Sequence, residues 1–123
     1  MFFNKLTAEA ETIVARVQRR LPEDLRTLAR TIPVIYYDWP TAEILGEEFD
    51  PDILGLFVGE AHGLESGTTN SVPTHILLFL ENLWDEAEGD LGVFRDEVRL
   101  TYLHELGHYF GWDEGDLEAR GLG

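Results

Sequence analysis

The sequence predicts an α+β fold, a short β-sheet packed by an N-terminal backing helix and a C-terminal helix. An apolar stripe at helical spacing occupies residues 13–21, and three short β-branched or aromatic runs follow between Pro and Gly breakers. A second helical pattern fills the last third of the chain and stops at Gly111. The 123 residues, 44% hydrophobic and 27% charged, suit one folded domain over 1–123 rather than a disordered chain.

Thr7 can cap the first helix, which runs to about Arg20 with Ile13, Val14, Val17 and Leu21 on one side. Pro22 sits where a second helix, Glu23 to Arg30, can begin. Pro33 opens a strand, Val34 to Trp39, which Pro40 closes. Leu54 to Val58 reads as a second strand between glycines, and His75 to Leu80 as a third, almost wholly apolar. Between these two, Ala61 to Pro73 is rich in Gly, Ser and Thr and is expected to be either mobile or part of a binding rim. The acidic stretch Glu81 to Asp90 reads as solvated. The last long helix is expected from Phe94 or Asp96 to Phe110, with Gly111 as a left-handed cap. Trp112 to Leu122 leaves room for one more helical turn.

Charge and composition exclude several functions. A net charge of −15 repels nucleic acid unless a basic patch intervenes. The one dense basic cluster, Arg16, Arg19 and Arg20, reads as the solvated side of an amphipathic helix. Without cysteine there are no disulfides, thiolate ligands or thiol nucleophiles. No signal-peptide core and no apolar run of membrane-spanning length is present, so the expectation is a cytoplasmic protein with no membrane partner.

The informative segment is His104-Glu105-Leu106-Gly107-His108-Tyr109-Phe110-Gly111-Trp112-Asp113-Glu114. Helix positions four apart are neighbours, with Cβ atoms about 5–6 Å apart, so His104 and His108 can aim at one cation. Glu105, rotated by about 100°, is placed to act on a water at that cation rather than to join the ligands. Val98, Tyr102, Leu106, Tyr109 and Phe110 share a broad apolar arc, with the two histidines beside it next to Thr101 and Glu97. Two histidines hold zinc poorly, so a third ligand is required, and Asp113, Glu114 and Asp116 all follow Gly111. His62 and His75 are lone histidines expected to be surface or hydrogen-bonded residues. The four tyrosines read as core or rim aromatics, and Trp39, Trp84 and Trp112 as packing.

The stretch resembles the extended zincin signature H-E-x-x-H-x-x-G-x-x-[H/D/E]. More narrowly, H-E-L-G-H-Y-F-G-W-D-E-G-D-L and the short length resemble a bacterial family of minimal zincin-like zinc metallopeptidases. The resemblance implies a small zincin-like domain with Zn2+ held by His104, His108 and Glu114, the last falling on the third-ligand position. It also implies Glu105 as the general base that activates the zinc-bound water. The only methionine is Met1, so the methionine turn beneath the metal of metzincins is absent. The expected function is zinc-dependent hydrolysis of a peptide or protein, with an edge strand beside the helix, His75 to Leu80, receiving the extended substrate. The alternative is a non-catalytic zinc-binding interaction module, against which the intact Glu105 argues. RNA cleavage is disfavoured by the net charge.

Overall fold

Residues 2–59 and 73–121 are described by a computed structural model, in which six helices and three strands follow the order α-α-β-α-β-β-α-α-α. The opening helix α1 spans Phe2–Arg20 and buries Leu6, Ala10, Ile13, Val14 and Val17, a repeat of three and four that makes one continuous apolar side. It begins earlier than Thr7 predicts. Thr7 is an interior position whose hydroxyl donates to the Phe3 carbonyl at 2.9 Å, so it caps nothing. Helix α2 (Glu23–Ala29) follows Pro22 as expected, with Glu23 and Asp24 in its first turn.

Strand β1 covers Val34–Tyr37, β2 Gly55–Val58 and β3 His75–Phe79. The sheet order is β1-β3-β2, with β1 parallel and β2 antiparallel to the central β3. The long apolar run of β3 is explained by this position, since Ile76, Leu77, Leu78 and Phe79 are all buried. The strand expected to offer a free edge is therefore paired on both sides, and the outer antiparallel position belongs to β2. Strand order depends on contacts distant in sequence, which local patterning does not encode. A single helical turn, α3 (Ala42–Leu45), capped by the Thr41 hydroxyl, interrupts the path from β1 to β2.

The acidic stretch after β3 is structured rather than loose. Helix α4 (Leu80–Glu86) starts directly on the strand and buries Leu80, Asn82 and Leu83, with Ala87 buried just beyond. The Asn82 amide donates to the carbonyls of Pro51 and Ile53 at 2.7 and 2.9 Å and ties down the approach to β2. Helix α5 (Leu91–Phe110) begins a few residues before Phe94, because Asp90 caps it by accepting from the Val93 N–H at 3.0 Å. Gly111, at φ +76°, ends it in the left-handed conformation the sequence predicts.

Helix α5 is the spine of the fold. Phe94, Val98, Tyr102, Leu103, Leu106 and Tyr109 join the core with α1, α4 and the inner face of the sheet. The Gln18 amide donates to the buried Tyr102 hydroxyl at 3.0 Å and satisfies that polar group beneath α1. Trp84 packs between Phe2 and Phe94, and Trp112 lies under the Arg120 guanidinium at 3.8 Å. Trp39, expected to pack, is instead among the exposed large apolar residues. The final helix α6 (Glu114–Ala119) is tethered by Leu117, its one buried residue. Segment 61–72, with His62, lies outside the described residues. No described helix is long and apolar enough to cross a membrane.

Candidate metal centre

The motif histidines lie on the one side of α5 that the core leaves open. Their side chains are 47% and 53% exposed for His104 and His108, whereas that of Glu105 between them is only 11% exposed. One ligand atom each from His104, Glu105 and His108 fall within 4.8 Å of one another. The imidazoles are 5.1 Å apart and nearly perpendicular, and the Glu105 Oε1 is 3.8 Å from the His108 Nε2. Among the described residues no other group of three such side chains comes together. Two ring nitrogens and a carboxylate oxygen at this spacing are a donor set that zinc accepts.

Glu105 is held by β2. The pairing of β2 with β3 has the Phe79 N–H donate to the Leu54 carbonyl at 3.0 Å, and antiparallel alternation then turns the Phe57 N–H away from β3. That amide donates to the Glu105 carboxylate. Burial pushes the Glu105 carboxyl above its ordinary range; the neighbouring His108 and His104 rings, then the Phe57 amide, pull the other way. The Phe57 ring also stacks against His108, with centroids 6.3 Å apart and planes 10° apart.

This approach depends on Gly55. A Cβ there would lie 2.7 Å from Thr101 Cγ2, 3.1 Å from the Leu77 carbonyl oxygen and 3.3 Å from Glu105 Cγ. A glycine bounding an apolar run is the sequence signal for such a contact, but its partner is visible only once α5 lies on β2. Gly107, inside the motif, has the same role on the other side: a Cβ would meet Leu117 Cδ1 and the Trp112 carbonyl oxygen, each at 3.3 Å. The turn after α5 is closed by the Trp112 N–H donating to the Gly107 carbonyl at 2.8 Å.

That turn brings the three downstream acids to different fates. Asp113 and Asp116 bond reciprocally: the Asp116 N–H donates to Asp113 Oδ1 at 2.8 Å, and the Asp113 N–H to Asp116 Oδ2 at 3.0 Å. Both carboxylates thus cap α6. Glu114 makes no such bond; its Oε1 stands 3.4 Å from the His104 Nδ1 and its side chain is 80% exposed. It lies outside the three-donor group, beside one of its members. His75 begins β3 with its Nδ1 2.7 Å from the Pro73 carbonyl oxygen and does not join the group.

Beside the donors runs an open cleft of about 350 Å³, lined by Ile53, Leu54, Gly55, Leu100, Thr101 and the two acids Glu105 and Glu114 around His104. Leu100, one turn before His104, is 43% exposed at its mouth. A model of the family described as zincin-like metallopeptidase matches residues 29–123. The chain belongs to the zincin-like metallopeptidase family. Among curated proteins none matches it. The zincin-like match begins at the end of α2 and so omits α1, although α1 supplies much of the packing behind the zincin helix.

Proposed function

We propose that this zincin-like chain is a one-domain, zinc-dependent peptidase in which His104, His108 and Glu114 hold the metal and Glu105 is the general base. The observation that carries the reading is the contrast within one helical turn. The histidines are half-exposed and free to take a cation, while the acid between them is buried, fixed by a backbone amide and aimed at the same space.

Zinc, when bound, supplies Lewis-acid polarisation of a carbonyl and acidifies water. Glu105 takes the proton of the attacking water and returns it to the leaving amine nitrogen. Its raised proton affinity suits both halves of that transfer. Glu114 is favoured over Asp113 and Asp116 as third ligand because those two are engaged as caps, whereas Glu114 is exposed, adjacent to His104 and able to swing. Among the described residues the outer side of β2 is unpaired, and its backbone groups other than the Phe57 N–H suit an extended peptide, as the apolar cleft beside Leu100 suits one of its side chains.

The test joins metal content with cleavage of a peptide library. Glu105→Gln is expected to retain zinc and lose about 10²–10⁴-fold in turnover, the usual contribution of a general base. His108→Ala is expected to lose both. Zinc retention with undiminished cleavage in Glu105→Gln would remove Glu105 from the mechanism. Zinc binding without cleavage by the wild type would reduce the protein to a metal-binding module.

A further inference from the structure

Away from the cleft, the seam between α1 and α5 gathers four of the nine basic residues of a chain with 24 acids. The two helices run side by side in the same direction, since Glu9 meets Arg95 near their starts and Gln18 meets Tyr102 further along. Up the seam, the first pairing is of opposite charge: Arg95 Nε lies 2.9 Å from Glu9 Oε2, with a second bond from Nη2 at 3.3 Å. The next turns break that rule. Arg16 and Arg20 of α1 face Arg99 of α5, and none of the three has a carboxylate partner among the described residues.

Like charges four apart on a helix destabilise it, and here two such pairs, Arg16–Arg20 and Arg95–Arg99, face each other. For Arg20 the C-terminal end of the α1 dipole offsets the cost. For Arg99, half-buried in the middle of α5, the one nearby acid on its own helix is Asp96, which does not come within ion-pair distance of it. Arg16, Arg20, Arg95 and Arg99 line a groove of about 220 Å³ together with Ile13, Val17 and Asp96, and a second hollow of about 180 Å³ continues it past Leu21 and Leu103. The stripe Arg95–Arg99–Leu103 lies about 160° around α5 from His104 and His108, so the groove is separate from the metal centre.

We propose that this groove binds a compact, soluble phosphate-class anion, held by Arg16, Arg20 and Arg99. Three planar donor forks around one small volume match a ligand that concentrates two or more charges on few atoms. The net charge of −15 works against an extended polyanion or an anionic membrane, whose remaining charge would have to lie against acidic surface. A small anion escapes that repulsion.

Inorganic pyrophosphate is the probe, titrated calorimetrically into the full chain at constant ionic strength set with chloride. Saturable binding is expected, weakened at least tenfold in Arg99→Gln and in Arg16→Gln and unchanged in His108→Ala. Arg99→Glu is expected to raise the melting temperature without ligand, by pairing with Arg16 or Arg20, and to abolish the shift that pyrophosphate gives the wild type. The stable Arg99→Glu protein separates loss of the site from loss of the fold. Absence of saturable binding would mean that the arginine stems only cover the seam. Binding lost in His108→Ala but kept in Arg99→Gln would assign the anion to the metal centre. Tighter binding of an oligoglutamate peptide or of phosphatidic acid vesicles would assign the groove to another class of partner. Each of these results overturns the proposal.

Discussion

Helix α5 meets its neighbours in two unlike ways. Against β2 the contact is made by removing side chains: Gly55 lets Thr101 and Glu105 come down onto the strand, where a backbone amide takes the carboxylate. Against α1 it is made by long side chains, a core ladder through Tyr102 with ion-paired and unpaired arginines above it. Close backbone contact holds the acid in one place. Side-chain contact supplies stability and leaves room for repacking. The two seams should therefore fail differently when altered.

The largest loss is expected on the α1 side. Tyr102→Ala removes one of the largest fully buried side chains and should cost about 3–5 kcal/mol, read from denaturant unfolding. If the cost were below about 1 kcal/mol, the view of α1 as the structural backing of α5 would fail. Next comes Gly55→Ala. The contacts that its Cβ would make at 2.7 and 3.1 Å predict an overpacking cost of about 1–3 kcal/mol. Because Glu105 is displaced with Thr101, the proposed peptide cleavage should fall further than stability alone explains, whereas Tyr102→Phe should leave it intact in the folded fraction.

Tyr102→Phe itself is expected to cost about 0.5–1.5 kcal/mol, since only the bond from Gln18 is lost. Asp113→Ala should cost about 1 kcal/mol through the cap of α6, with faster amide exchange confined to α6 and its turn. The smallest effect belongs to the exposed Glu9–Arg95 pair. The Arg95 hydrogen bond, then its charge, hold the Glu9 carboxyl below its ordinary value, so the pair's contribution exists above the usual carboxylate range and disappears as pH falls through the lowered one. Arg95→Gln should accordingly lower the melting temperature slightly at neutral pH, less in high salt, and not at all in acid.

The site was more legible in the sequence than its surroundings. His104, Glu105 and His108 were readable because a helix repeats every 3.6 residues and Gly111 announces where it stops. Glu114 came from the spacing of the family signature, whereas the reciprocal capping of Asp113 and Asp116, which leaves Glu114 the uncommitted acid of the three, could not be read there. Helix α4 was hidden by composition: Glu81, Asp85 and Glu86 outnumber the Leu80 and Leu83 that dock it. The place of β2 on the outer edge, and with it the role of Gly55 and the Phe57 amide, follows from pairing between segments separated by a long excursion of chain. No local period records that.

The bond from Gln18 to Tyr102 joins positions 84 residues apart. On the ribosome α1 is thus made long before α5, its principal packing partner, and contacts over such a span form late and slowly. During synthesis α1 therefore keeps much of its apolar side uncovered until α5 arrives, and that interval is when a chaperone would have most to do.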